Sequence, residues 1–257
     1  MDHNKTNNKS RTLLKINQMQ NIQEQTLAGI ALSNHEYIPV LEKYSLDFCC
    51  RGKKTLADAC SEKELSVNTI ADELIASVKT ATTRMPFTEM SADELISFIL
   101  IHHHFYVKNS VATIHSHIEK VATKHGDRYT HMPRVLELFT AVAEELLQHM
   151  VKEEQILFPR IKKVAAADTP ESFVAMGPGF ISAPIQMMES EHDNAGQLLF
   201  EIRDLTNNYT PPEDACTTHR VCLEELKAFE EDLHQHVHLE NNILFPLAMK
   251  LILVNSN

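Results

Sequence analysis

The sequence contains no tryptophan, and only six of its 257 residues are glycine. Good helix formers dominate instead, and they lower the free energy of a helix relative to an extended chain. A sheet protein with many tight turns normally needs more glycine than this sequence offers. The composition therefore predicts an all-α protein.

Cysteine is scarce as well. The five cysteines are odd in number, and two of them, Cys49 and Cys50, are adjacent and cannot form an ordinary unstrained disulfide with each other. This excludes a disulfide scaffold and favours a reducing compartment. The other three, which we expect to be structural, are Cys60, Cys216 and Cys222.

Long hydrophobic runs and an excess of positive charge are also lacking. No stretch approaches the roughly 20 apolar residues that a membrane-spanning helix needs. The segment 1–11 is polar and basic, without the hydrophobic core of a secretory signal. A net charge of -11 argues against nucleic acid or an anionic membrane as the partner. We expect a soluble, cytoplasmic protein.

A metal-ligand pattern is present twice in the second half of the sequence. Each copy has one histidine, followed 44 or 45 residues later by a His-x-x-x-Glu motif that runs on into Ile-Leu-Phe-Pro. The ligand candidates are His104, His149 and Glu153 in the first copy and His192, His236 and Glu240 in the second. A shift of 87 or 88 residues superposes the two copies. Such a duplicated helical hairpin is typical of a dinuclear metal site inside a four-helix bundle.

The apolar seams of four predicted helices support this interpretation. The helices are expected at about 92–124, 131–163, 181–206 and 215–251, and all six candidates lie in line with apolar residues at helical spacing. Buried carboxylates are costly without a cation, and no Lys or Arg lies on the seams up to these ligands. We therefore predict a pair of divalent metal ions. Histidine with carboxylate suits iron but also allows zinc or manganese.

The same patterns predict the domain organisation. We expect a loose tail over residues 1–23, a small helical domain over 24–80, a linker over 81–90 and the four-helix bundle over 91–257. The bundle begins with Ser91-Ala92-Asp93-Glu94, a capping box before an apolar run.

The remaining histidines are expected to be outside the metal site. His234 and His238 share a face away from the seam and are predicted to be solvated, and His102 and His103 do not continue the seam. Glu191, next to His192, is a candidate partner of a metal-binding histidine. Predicted at the surface or at helix ends are His115, His117, His125 and His131.

The adjacent cysteines are the other candidate site. Cys49 and Cys50 lie in a turn with Arg51, Lys53 and Lys54, and nearby cations would lower the pKa of a thiol and favour the reactive, metal-binding thiolate. The alternative is that the two cysteines only pack a small domain. We predict Cys49 and Cys50 as catalytic residues.

Several blocks of the sequence resemble a known family. The run from Asp47 to Leu56 is similar to the signature of the ScdA-type N-terminal domain, and the runs from His149 to Pro159, Met188 to Asp193, Thr210 to Cys216 and His236 to Pro246 are similar to a hemerythrin-like domain. Together they resemble the repair-of-iron-centres (ScdA/YtfE) family, from about residue 24 onwards.

The resemblance implies a non-haem di-iron centre with an oxo or hydroxo bridge, in a cytoplasmic stress-response protein. It implies that the four histidines are terminal ligands and that Glu153 and Glu240 bridge the two irons. It also implies that the partners are iron–sulfur proteins damaged by nitric oxide or hydrogen peroxide, and that the family's paired cysteines are Cys49 and Cys50. Whether the protein forms a homodimer is left open.

Three functions follow from this reading. The leading hypothesis is repair of damaged iron–sulfur clusters by supply of iron. The first alternative is an enzyme that reduces two NO molecules to nitrous oxide at adjacent open positions of two ferrous ions. The second is an O2 or NO carrier or sensor of the hemerythrin kind, although the seams offer four histidines and two carboxylates where ordinary hemerythrin has five histidines and two carboxylates.

Overall fold

The structure, a computed structural model, describes residues 22–50, 52–78, 86–167 and 179–255. These residues form helices and turns, with one isolated antiparallel bridge between Thr26 and Thr55, so the predicted all-α fold is confirmed. The chain divides into two compact units between Thr88 and Glu89. Most of the predicted tail, Arg51, residues 79–80 at the end of the predicted small domain and residues 81–85 of the predicted linker lie outside the described residues.

The described part of the N-terminal unit is built from short helices. They are α1 (Leu27–Ser33), α2 (Ile38–Lys43), which follows a 3-10 turn at His35–Tyr37, α3 (Leu56–Glu62) and α4 (Val67–Ser77). The side chains of Thr26, Thr55 and Ser66 cap α1, α3 and α4 by accepting a backbone N–H three residues on. The core contains the fully buried Ile30, Leu41, Phe48, Leu56 and Leu74.

The described residues of the second unit contain four long helices, and three of these include a five-residue π-helical segment. The first bundle helix comprises Ala92–Ile99, the π segment Leu100–His104 and Phe105–His125. The second comprises Met132–Lys152, the π segment Glu153–Leu157 and Phe158–Ala165. The third is Ser182–Leu205, and the fourth comprises Thr217–Leu239, the π segment Glu240–Leu244 and Phe245–Asn255. The first helix packs on the second and the fourth, and the second packs on the third.

Local signals explain where the first bundle helix begins. Ser91 Oγ accepts the backbone N–H of Glu94, and the Glu94 carboxylate accepts the backbone N–H of Ser91, which forms the predicted capping box. In the parts of the chain that the structure describes, no helix is both long and apolar enough to span a membrane.

The π segments were not predicted, and each one contains a candidate ligand. His104 ends the first segment, and Glu153 and Glu240 begin the other two. A π turn inserts one extra residue per turn, and such insertions are frequent at functional sites. The apolar spacing places Ile156 on the inward face after Glu153, but Ile156 is 45 % exposed and Leu157 is buried, because the π turn shifts the seam by one residue.

Candidate metal centre

All six predicted ligands lie together in the interior of the bundle, with at most 2 % of each residue exposed. They form two groups that share both carboxylates. One group is His104, His236, Glu153 and Glu240, and the other is His149, His192, Glu153 and Glu240. Within a group, one ligand atom from each residue lies within 4.8 Å of the others. The structure thus brings together every residue of the predicted set, and the role of these residues as ligands stays a prediction.

In Glu153 and in Glu240, one carboxylate oxygen faces the histidines of each group. Glu153 Oε2 is 3.3 Å from His104 Nε2, and Glu153 Oε1 is 3.3 Å from His149 Nε2. Glu240 repeats the arrangement, with its two oxygens 3.1 Å from the Nε2 atoms of the other two histidines. Nitrogen and oxygen atoms bound to a common ion at about 2.0–2.2 Å lie about 3 Å apart. Both carboxylates are therefore positioned to bridge two ions.

Several of these atoms are buried without a hydrogen bond. They are His104 Nε2, both carboxylate oxygens of Glu153, and Glu240 Oε2. Among the described residues, the ion-pair contacts of both carboxylates are made by histidines, and neither has a Lys or Arg partner. A buried anion without a donor costs several kcal/mol, roughly, unless a cation neutralises it. The donor set therefore fits bound metal ions.

The electrostatic field of the centre favours positive charge. Burial alone would lower the pKa of His149, but the charge of Glu153 raises it to about 9. Burial alone would raise the pKa of Glu240, but the charges of His236 and His192 and the hydrogen bond from His236 hold it well below its usual value. The two carboxylates thus stay ionised and stabilise cations placed between the imidazoles.

Three of the four histidines are oriented by a hydrogen bond at Nδ1. The acceptors are Glu154 for His104 (2.7 Å), Glu191 for His149 (2.9 Å) and Asn241 for His192 (2.9 Å). With Nδ1 as the donor, each Nε2 presents its lone pair to the centre. The Nδ1 atom of the fourth, His236, is buried without a hydrogen-bond partner.

Sequence reasoning found one of these acceptors. Glu191 was predicted as a partner of a metal-binding histidine, and the structure places it at His149. Glu154 and Asn241 were not predicted. The sequence does contain a signal for them, since each directly follows the glutamate of its His-x-x-x-Glu motif.

One prediction about the other histidines was wrong, and the burial of a second histidine was not predicted. His238, predicted to be solvated, is only 3 % exposed, and its Nδ1 lies 3.0 Å from Asn242 Nδ2. His103 is 4 % exposed and its Nδ1 lies 3.0 Å from Asp232 Oδ1. A seam describes one face of a helix and says nothing about what covers the other faces. The π segment also reduces the rotation between His103 and His104, because it has more residues per turn.

Cys49 and Cys50 belong to the N-terminal unit. Their sulfur atoms are 3.8 Å apart, and Cys49 Sγ lies 3.2 Å from Asp47 Oδ1. The contact with Cys50, burial and the charge of Asp47 raise the pKa of Cys49 well above its usual value. The expected lowering of the thiol pKa is therefore wrong for Cys49, whose buried sulfur lies beside the Cys50 thiol and the carboxylate of Asp47.

Comparison with known proteins agrees with both units. Residues 95–248 match the family model of the hemerythrin HHE cation binding domain, and residues 23–78 match ScdA_N, a domain of unknown function (DUF542). The chain is 38 % identical over 226 residues to the iron-sulfur cluster repair protein YtfE of Escherichia coli O81 (strain ED1a), which covers 88 % of this chain and 97 % of that protein. The YtfE proteins of Escherichia coli O1:K1 and Escherichia fergusonii match with the same identity and coverage.

Proposed function

The chain belongs to the hemerythrin HHE family and to the YtfE group of iron-sulfur cluster repair proteins, and from this membership we propose that it is a di-iron protein that repairs damaged iron–sulfur clusters. The proposal includes nitrosative or oxidative stress as the source of damage, supply of iron as the means of repair, and the cytoplasm as the location. The partners are then damaged iron–sulfur proteins.

One observation carries the di-iron part of the proposal. Glu153 and Glu240 each contact a histidine of both groups, and at least one oxygen of each is buried without a hydrogen bond. A single ion could satisfy only one group of four ligand residues. Two ions, one per group, would neutralise both carboxylates and use all four imidazoles.

The protein would hold each ion with two imidazole nitrogens and two carboxylate oxygens. Iron bound there would supply an exchangeable ion with coordination positions left open to small molecules. The aromatic rings of Phe158 and Phe245, at the same position in the two sequence copies, stack on His104 and His192 with centroids 5.7 and 6.2 Å apart. These rings cover the imidazoles and limit the access of water to the centre.

Supply of iron is consistent with this ligand set. Four protein ligands, two of them shared, hold an ion less firmly than six separate ligands would, so release to an acceptor is feasible. The net charge of -11 favours partners with a basic surface around the damaged cluster.

The test is reactivation of an enzyme whose cluster has been inactivated, such as an aconitase. Iron-loaded protein should restore its activity, and the double variant His149→Ala, Glu153→Ala should not. The matched control is His102→Ala, which removes an exposed histidine from the π segment that also contains His104. Equal recovery with the double variant would refute iron supply from this centre.

The same preparations separate the proposal from its alternatives. Anaerobic single turnover with NO should yield no stoichiometric nitrous oxide if the centre only supplies iron. Formation of one nitrous oxide per two NO would favour the reductase. A stable, reversible O2 adduct of the reduced protein would favour the carrier or sensor.

A further inference from the structure

The turn that contains the two adjacent cysteines brings together three side chains outside the bundle centre. Asp47, Cys49 and Cys50 each offer one ligand atom, and these atoms all lie within 4.8 Å of one another. The carboxylate oxygen Asp47 Oδ1 is 3.2 Å from Cys49 Sγ, and the two sulfur atoms are 3.8 Å apart. Two sulfurs and one oxygen therefore lie on one side of this turn.

Backbone hydrogen bonds fix the turn. Asp47 Oδ1 accepts the backbone N–H groups of Cys49 and Cys50, at 3.1 and 2.9 Å. Gly52 O accepts the backbone N–H of Ala28 at 2.9 Å, which ties the turn to α1. Gly52 allows a close approach, since a Cβ atom there would lie 2.4 Å from the carbonyl oxygen of Phe48. The three side chains are thus held in place before any ligand binds.

The distances match those of metal coordination. Zinc–sulfur bonds are about 2.3 Å long, and two such bonds at a tetrahedral angle separate their sulfurs by about 3.8 Å. The observed separation of 3.8 Å between the cysteine sulfurs equals this value. A thiol–thiol hydrogen bond has the same length, so both sulfurs could bind one ion without moving apart. An oxygen ligand at the third position suits a divalent ion of borderline softness.

We propose that Asp47, Cys49 and Cys50 form a binding site for one thiophilic divalent transition-metal ion, with at least one coordination position open to solvent or to an acceptor. Asp47 and Cys50 are partly exposed, whereas Cys49 is 6 % exposed, so the ion would have an accessible side. Each thiol gives up its proton when its sulfur binds the ion, and the protons pass to solvent. Binding is therefore weaker at lower pH.

The protonation of Cys49 distinguishes this site from a nucleophile. The raised pKa of Cys49 keeps the free thiol protonated, which makes it a poor nucleophile near neutral pH. A metal ion displaces the proton as it binds, so the same thiol can still be a ligand. The further step, that ferrous iron on its way to a damaged cluster is the ion bound here, rests on the proposed function; metal binding itself does not.

The test uses the full-length protein with its bundle centre already loaded with iron. Under anaerobic conditions, Co(II) is titrated as the probe, and near-ultraviolet absorption is followed for sulfur-to-cobalt charge transfer. Wild type should bind one Co(II) with this band. The variants Cys49→Ser and Cys50→Ser each keep one sulfur and should lose at least half of the band. Asp47→Asn, whose amide oxygen can still accept the two backbone N–H groups, should keep the band but bind Co(II) about tenfold or more weakly.

Cys216→Ser is the matched control, since Cys216 is a partly buried cysteine of the other unit and should leave the titration unchanged. In a second measurement, Zn(II) should protect Cys49 and Cys50 from alkylation, read by mass spectrometry of their peptide. The absence of a sulfur-to-cobalt band, its undiminished survival in Cys49→Ser, or equal alkylation with and without Zn(II) would overturn the site. Reactivation of aconitase without Co(II) binding would refute only this metal site. Co(II) binding without reactivation would refute only the proposed repair function.

Discussion

The rings of His103 and His236 stack in parallel, with an interplanar angle of 3° and centroids 5.4 Å apart. In the duplicated pattern, His103 is at the position that Glu191 has in the second copy, 88 residues later. Glu191 accepts a hydrogen bond from His149 Nδ1, whereas Nδ1 of His236 is buried without a partner. The two copies therefore support their predicted metal-binding histidines differently, and an ion bound at His104 and His236 would be held by the less firmly oriented pair.

Replacing His103 with glutamine should make the two halves more alike. A glutamine oxygen could accept from His236 Nδ1, while its amide donates to Asp232, which now pairs with His103 at 3.0 Å. Partners of this kind change metal affinity by roughly 10–100-fold. Iron release to a chelator should have two phases, and the ion at His104 and His236 should leave in the faster one. We expect His103→Gln to slow this faster phase about tenfold, as measured by stopped flow. Glu191→Ala should instead accelerate the slower phase, and an unchanged pair of rates in both variants would contradict the asymmetry.

Removing a ligand that both groups share should lower the metal content per chain more than removing a histidine that belongs to one group. His104→Ala leaves the group of His149, His192 and both carboxylates intact, so about one ion per chain should remain after dialysis against a weak chelator. Glu240→Ala removes a ligand from both groups and should leave less than one. Metal analysis with circular dichroism checks both variants, and equal metal contents in two folded variants would argue against bridging.

His219 should make the bundle sensitive to acid. It is fully buried against Tyr129 with no hydrogen bond to either ring nitrogen. Burial and the positive charges of His131, His125 and Arg220 lower its pKa. The unfolded state therefore binds the proton first, and stability is lost as the pH falls below about 6.5 towards the lowered folded-state pKa.

His219→Phe removes this titration and keeps a ring against Tyr129. As the pH falls, the free energy of unfolding of this variant should rise relative to that of wild type. The rise should be at most about 1.4 kcal/mol for each unit by which folding lowers the pKa of His219. Urea unfolding at several pH values between 8 and 5 measures this difference, in which titration of the metal ligands cancels. A difference that does not depend on pH would show that His219 does not titrate on unfolding.

The buried ion pair between Arg203 and Glu230 should dominate the polar contribution to stability on its side of the bundle. Three hydrogen bonds of 2.5 to 3.1 Å join the guanidinium to the carboxylate, and Glu230 is 4 % exposed. Glu230→Ala removes the carboxylate that pairs with the largely buried Arg203 guanidinium and should cost about 3 kcal/mol. The control is Glu231→Ala on the same helix, whose pair with Lys227 is exposed and 3.7 Å long. Similar thermal shifts in the two metal-loaded variants would contradict this.

Sequence patterns predicted the bundle helices closely. The first was expected at about 92–124 and extends over 92–125, and the second was expected at about 131–163 and extends over 132–165. Apolar spacing and a capping box are local signals, which is why they suffice. The same spacing placed His149 and Glu153 on an inward face, because two residues four positions apart share a helix face.

Only the tertiary structure could decide the finer points. Which oxygen of Glu153 faces His104 and which faces His149 depends on how neighbouring helices pack. The burial of His103 and His238 depends on what covers faces that a seam does not describe. The raised pKa of Cys49 depends on the direction of one side chain within a turn.

By itself, then, the sequence determined an all-α chain with a doubled set of inward histidines and glutamates, because residue order along a helix fixes the face on which each side chain lies. Folding decided that the two sets meet as two groups sharing both carboxylates, and that one histidine lacks the support its counterparts have. Distances between side chains on different helices are set by packing, and no spacing along the chain contains them.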